Sequence, residues 1–577
     1  MPDKKAGSFT FVLHSHLPYV LSHGRWPHGT DWLNEAAAET YIPLLDIIEK
    51  LAEEGISPKF TLGITPVLTE MLRADSFQDE FRMYLETKIK AAKGDLKEFI
   101  RTGETEMAEV AVMWDKFYTA TLDKFKNKYH GDLIGEFAKH QDAGRIEIIT
   151  CGATHGYFPL LSRDESIQAQ VKQAVASYSR NYGRKPRGIW LPECAYRPGY
   201  KWAPPVEGSG LEPYDRKGVE EFLSENGIEF FIVDSHLVEG GKAIGVYLER
   251  FDALARLWDR FEESQTRPVD PNKSHYDIFA VGNKPGMKPV AILARDAKTG
   301  IQVWSGEHGY PGNPEYLDFH KKRFPGGLRY WRVTDAKADL AEKKEYRPSI
   351  AGDFIPEQAH HFKELVKSAL REHKARTGKP GLLTSPYDAE LFGHWWFEGP
   401  QWLYHVVKQM HEDPEIELVT GSEYLAETPE RTLISLPEGS WGEGGFHYIW
   451  LNEWNQWTWK HIYEAEAEMV SLAKEYSGSP DAMMQDILKQ AGRELLLLQS
   501  SDWQFLITTL SARDYAEARF TEHCHDFTRL AGLARKYAAG EAVKADEWGF
   551  LATCQEKDNL FADIDPGWWA SIEHPLN

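Results

Sequence analysis

Five residues of this chain are placed to do chemistry: Glu193 in WLPECAYRPG, Asp388 in SPYDAELFGHWW, and the histidines His14, His16 and His155. Glu193 follows a short apolar run, residues 188–191, that is bounded by turn residues and reads as a buried strand. Asp388 comes just after the apolar run KPGLLT, residues 379–384. His14 and His16 alternate at the end of SFTFVL, residues 8–13, so both fall on one face of a strand end. His155 stands just past RIEIIT, residues 145–150. Closing parallel strands into a barrel brings residues at strand ends to one mouth, where such folds carry out their reactions. Two carboxylates flanking a bond, one as nucleophile and one as general acid, are what glycoside chemistry needs, with a separation of about 5 to 5.5 Å in retaining enzymes. Each residue has an ordinary reading too: a Glu in a Pro-bounded turn is often a surface residue, and histidines often only tie loops together.

The elements that must hold these residues follow a strand and helix rhythm. A strand at 8–13, a helical stretch at 36–53 and a strand at 59–64 open a parallel α/β unit. Residues 76–141 turn charged, Gly-poor and helical, as an insertion between two barrel strands. Strands then follow at 145–150, 188–191, 229–234, 290–295, 300–304 and 379–384, with a helix at 163–182. The expected division is a first barrel part at 1–75, the helical insertion at 76–141, a second barrel part at 142–427 with a long loop at 240–288, and a helical C-terminal domain at 428–577.

With 577 residues, 42% hydrophobic and 27% charged, the chain is long enough to bury a large core. Its net charge of -22 and its lack of a basic run argue against nucleic acid or anionic membranes as partners, and favour a neutral ligand. Cys151, Cys194, Cys524 and Cys554 have no metal-finger or redox spacing, and together with an N-terminus lacking a long apolar core they point to a reducing cytoplasm. No apolar stretch of membrane-spanning length is present in the sequence. Aromatic content is high, with 20 Trp, 25 Tyr and 28 Phe, and several of the Trp lie in polar, Gly-rich surroundings suited to stacking on sugar faces. Residues 440–459 hold Trp441, Trp450, Trp454, Trp457 and Trp459; helix packing accounts for part of that set, and Trp441, with glycines close behind it, is the least suited to a core.

The motifs HSHLP, THGYFPLL, WLPECAYRPG and SPYDAELFGHWWFEGP resemble the successive motifs of glycoside hydrolase family 57, and within it most resemble the α-1,4-glucan branching enzymes. The resemblance runs from HSHLPYVLSHGRWPHG to the C-terminal SSDWQF. It implies an α/β fold built on an incomplete seven-stranded (β/α) barrel with a helical insertion and a helical C-terminal domain. It also implies that Glu193 is the nucleophile and Asp388 the general acid and base, that His14, His16 and His155 bind sugar hydroxyls and steady Glu193, and that Trp32, Trp304, Trp441 and Trp450 are stacking platforms. Arg295, Gly312 and Asp502 would contact the glucan. The implied partner is an α-glucan, with no cofactor, no metal, no nucleic acid and no membrane, for a monomer or homodimer.

These enzymes carry a loop whose tyrosine shields the intermediate from water. Tyr247 is the first choice for it, because Gly240, Gly241 and Gly245 let the chain fold back over the site; Tyr276 is the second. The rival readings are an α-amylase or 4-α-glucanotransferase using the same carboxylates, a deacetylase or mannosidase with zinc on His14, His16 and an acid, and a glucan-binding protein without turnover.

Overall fold

The computed structural model describes residues 5–207, 210–243, 267–282, 284–305, 309–335 and 337–572. Strand β1, Gly7–Ser15, is buried at all nine positions, the pattern of a parallel strand covered on both faces. In chain order follow β2 (Phe60–Ile64), β3 (Ile146–Cys151), β4 (Gly188–Trp190), β5 (Lys201–Trp202), β6 (Tyr214–Asp215), β7 (Phe230–Asp234), β8 (Phe279–Val281), β9 (Val290–Arg295), β10 (Gly381–Asp388), β11 (Ile416–Leu418) and β12 (Thr432–Leu433). Seven of these form a parallel ring in the order β10-β1-β2-β3-β4-β7-β9. The ring is closed by one pair, Thr384 with Arg295, whereas β1 and β10 pair along eight residues from Gly7–Gly381 to His14–Asp388. That one-pair seam is the weak side of the incomplete barrel. β8 adds antiparallel to β9, β12 joins β8 beyond the expected boundary at residue 428, and β5 and β6 pair on their own.

The insertion consists of helices Asp75–Thr102, Thr105–Asp123 and Leu133–Asp142. At the C-terminal end, helices Gln456–Tyr476, Ala482–Leu498, Asp502–Thr509, Arg513–Ala538 and Ala545–Lys557 pack together. Among the described residues no helix is long and apolar enough to cross a membrane.

Two expected elements differ. Residues 300–304 were expected as a strand but belong to a helix, Ala297–Trp304, because the Asp296 side chain accepts from Thr299 N at 2.7 Å and caps its start. The short run Ile301 to Trp304 has too little period to separate the two states. The loop expected at 240–288 contains a strand, β8, and its stem is tied by the Gly241–Arg267 backbone pair. Tyr247 lies outside the described residues.

Candidate active site

The carboxyl ends of the ring strands carry the chemistry-bearing residues. His14 is the penultimate residue of β1, His155 follows β3, Glu193 follows β4, Asp234 and Arg295 end β7 and β9, and Asp388 ends β10. In a seven-strand ring β4 and β10 stand nearly opposite, so Glu193 and Asp388 face each other across the mouth.

Glu193 sits in left-handed backbone, φ 60° and ψ 28°, with Cys194 at φ 49° and His155 at φ 61°. Such conformations cost an L-residue roughly 1–2 kcal/mol and persist where surrounding contacts hold them. Here Trp441 does so twice: its backbone N–H donates to the Glu193 carbonyl at 3.1 Å, and its indole Nε1–H donates to Glu193 Oε2 at 2.7 Å. Trp441 in turn packs edge-on against Trp190 and lies 5.7 Å from the Arg295 guanidinium, which is ion-paired to Asp234 at 2.6 Å.

The three histidines form a stacked column beneath Glu193. His16 and His155 stack at 3.9 Å between ring centroids, and His14 stacks on Trp190 at 4.7 Å. His14 Nε2 and His155 Nε2 are 3.1 Å apart, while His155 Nδ1 lies 2.8 Å from Ser501 Oγ and 3.9 Å from Glu193 Oε1. His16 donates from Nε2 to Asp502 Oδ2 at 2.9 Å, and its Nδ1 lies 3.2 Å from Thr65 Oγ1. An ionised carboxylate only accepts, so His16 Nε2 carries a hydrogen toward Asp502.

Burial pushes Glu193 up to about 8, with the charges of Asp388 and Asp502 adding to the shift and the Trp441 hydrogen bond opposing it. Asp502 goes the other way: burial raises it, but His16 and His155 hold it at about 2. Burial, then the neighbouring imidazoles, keep His14 and His155 well below the usual histidine range, so these two rings are neutral at physiological pH. Two acids of opposite tuning thus lie beside the neutral rings of His14 and His155, a pattern typical of sites that move protons.

Sequence reading missed three participants. Glu390 is buried two residues past Asp388, accepts from Tyr41 at 2.5 Å and from the His16 backbone N–H at 3.1 Å, and is pushed by burial to about 8. Its signal was a carboxyl inside the otherwise apolar run AELF. Ser501 and Asp234 are the others; Ser501 stood next to Asp502, and Asp234 ended a strand already identified.

Several expected contacts take other forms. Trp441 is 4% exposed and holds Glu193, and Trp450 is fully buried against Tyr157. Arg295, at the end of β9, is buried against Asp234 and lies beside Trp441. Trp32 and Trp304 are half-buried and retain exposed ring surface. Gly312 closes the turn Tyr310–Gly312, with its N–H on the Gly309 carbonyl at 3.2 Å. Tyr276, the second choice for the loop tyrosine, donates to Asp296 at 2.8 Å, and its carbonyl accepts from Leu382 near the start of β10. His16, His155 and Asp502 each place one ligand atom within 4.8 Å of the others, as do His14, Cys151 and His155, so both sets have donors of a kind that binds metal ions.

A sequence profile described as glycosyl hydrolase family 57 matches residues 10–437, and one described as the C-terminal part of 1,4-alpha-glucan branching enzymes matches residues 461–569. The 1,4-alpha-glucan branching enzyme TK1436 of Thermococcus kodakarensis is 42% identical over 572 residues, covering 99% of this chain and 79% of the relative. Its crystal structure, in complex with glucose and additives, superposes with a TM-score of 0.89 at 40% identity, covering 99% of this chain and 98% of that one. The α-amylase AmyC of Thermotoga maritima gives a TM-score of 0.79 at 29% identity over 98% of this chain and 100% of that one. The parallel seven-strand ring, the profile match over residues 10–437 and a 42% identical relative spanning nearly the whole chain make this protein a member of glycoside hydrolase family 57.

Proposed function

We propose that the protein is a 1,4-α-glucan branching enzyme, which cleaves an α-1,4 linkage and transfers the released chain to a 6-hydroxyl by retaining double displacement. One observation carries the reading: the region matching the branching-enzyme C-terminal profile also supplies Ser501 and Asp502, which hold His155 and His16 at the barrel mouth. In this reading Glu193, tethered through Oε2 to Trp441, attacks the anomeric carbon with its other oxygen while Asp388 protonates the departing glycosidic oxygen. The glycosyl-enzyme is resolved when Asp388, now a base, takes the proton of an acceptor 6-hydroxyl. Attack requires the ionised form of Glu193, whose burial-raised pKa sets the acid limb of the rate profile. Trp32 and Trp304, at the half-open rim, suit stacking on donor and acceptor chains. A cytoplasmic enzyme fits its four free cysteines, and it acts as a monomer or homodimer.

Likeness to AmyC favours a second reading, hydrolysis by the same two carboxylates, with water in place of the sugar hydroxyl. Incubation with amylose separates the two. Branching gives new α-1,6 linkages with few new reducing ends, whereas an excess of reducing ends without branch points makes the protein a hydrolase.

A further inference from the structure

We infer that His23, His523 and Asp558 form a binding site for one divalent metal ion of the zinc class, which fastens the segment past β1 to the C-terminal helices.

The three residues come from distant elements. His23 lies past the end of β1, His523 is on helix Arg513–Ala538, and Asp558 directly follows helix Ala545–Lys557. Their side chains are 2%, 0% and 0% exposed, and each offers a ligand atom within 4.8 Å of the other two. The two imidazole planes meet at 62°, so an ion can lie near the plane of both rings. The stacked rings of His16 and His155 at the mouth, only 12° apart, do not allow that.

Imidazoles that hold a metal characteristically give their second nitrogen to a carboxylate, which orients the ring. Both rings are set up for this. Arg519 Nη2 donates to His523 Nε2 at 2.9 Å, and a guanidinium only donates. His523 Nε2 is therefore a bare lone pair, and the proton of the ring sits on Nδ1, 2.9 Å from Glu494 Oε2. His23 Nδ1 lies 3.2 Å from Glu522 Oε2, and its Nε2 lies 2.6 Å from Asp558 Oδ1. Exchanging the hydrogen between those last two atoms for a metal ion leaves Nδ1–H on Glu522. Asp558 Oδ2 is buried without a hydrogen-bond partner, with Lys557 Nζ 3.6 Å away. A buried carboxylate oxygen without a donor is a costly defect, and a cation removes it.

An ion on His523 Nε2 takes the place of Arg519 Nη2, while Nη1 of that guanidinium keeps the Tyr19 carbonyl and the Tyr515 hydroxyl, each at 2.7 Å. Charge favours the exchange, because Lys557 is shared among Glu522, Asp526 and Asp558 at 2.9, 2.7 and 3.6 Å. Two imidazoles and one carboxylate suit zinc, cobalt(II) or nickel(II), whereas calcium and magnesium take oxygen ligands.

The full-length protein, stripped with a chelator and dialysed, is titrated with zinc in a calorimeter and with cobalt(II) by visible absorption. The wild type is expected to bind zinc at this site, one ion per chain, with a rise in Tm. Asp558→Asn is expected to weaken zinc binding about 10²-fold or more, and Glu522→Gln, at a side chain 39% exposed, about 10-fold with circular dichroism unchanged. His155→Gln, which removes the histidine common to both donor sets at the mouth, is expected to keep this ion. Where Asp558→Asn does not fold, Glu522→Gln decides. A wild type that binds no zinc, undiminished binding in the deciding variant, or loss of the ion in His155→Gln overturns the inference.

Discussion

At the floor of the mouth His16, His155 and Glu193 are held atom to atom by Asp502, Ser501, Thr65 and Trp441 at 2.7 to 3.2 Å, and His14 by His155 at 3.1 Å. At the rim, among the described residues the Trp32 and Trp304 side chains are held through other rings: Trp32 by His28 and Tyr515, Trp304 by Trp395 and Trp441, at centroid distances of 5.0 to 6.5 Å. The difference matches two physical demands. Bond making needs placement within a fraction of an ångström, which directional hydrogen bonds in a buried site provide. A flexible glucan needs flat surfaces on which it can slide and re-register, which ring packing provides without fixing one geometry. The floor also draws on both ends of the chain, since the barrel supplies the histidines and the C-terminal region supplies Ser501 and Asp502.

The contrast can be broken from either side, and three variants rank the effects. Glu193→Gln is expected to lower kcat by more than about 10³-fold, with circular dichroism and unfolding cooperativity unchanged. Asp502→Asn replaces a pure acceptor with a side chain that presents a donor as well, and by releasing His16 is expected to lower kcat about 10²-fold with little change in KM. Trp304→Ala, at the rim, should act in the opposite way, raising KM for amylose about 10-fold while kcat changes less. A Trp304 variant that loses kcat alone, or an Asp502 variant that loses KM alone, would erase the distinction between floor and rim.

The smallest expected effect is on stability. Glu193 binds its proton more tightly when folded, its pKa rising from the usual 4.5 to about 8, so its contribution to stability falls as pH rises between those values. Glu193→Gln removes that penalty. Its melting temperature should therefore exceed that of the wild type at pH 8, with the gap closing toward pH 4.5. Glu390 and Glu398, pushed by burial to about 8 and about 7, titrate in the same window in both proteins and cancel in the difference.

Much of the barrel was legible because its strands are short apolar runs ending in Gly, Pro, His or acidic residues, and those endings are where a parallel ring brings side chains together. The convergence of Glu193, Asp388 and the histidines could be read from that rule. What each Trp does could not. The glycines behind Trp441 marked it as ill suited to a core and the family resemblance implied a stacking platform, but only the folded arrangement shows its N–H at 2.7 Å from the Glu193 carboxylate. Trp450 lay in the same polar window and turned inward onto Tyr157. Helix Ala297–Trp304 was hidden by its shortness, and Ser501 by its type, because nothing local marks which buried serine will meet a histidine 346 residues away.

The central claim is that Glu193 becomes the covalent carrier of the glucan at a floor built by both ends of the chain. Exposure to a fluorinated α-glucosyl fluoride, which forms the glycosyl-enzyme faster than it breaks down, followed by proteolysis and mass spectrometry, tests it directly. The account predicts one added sugar on the peptide containing Glu193, absent in Glu193→Gln. A sugar on any other carboxylate, or undiminished labelling of the Gln variant, would contradict it.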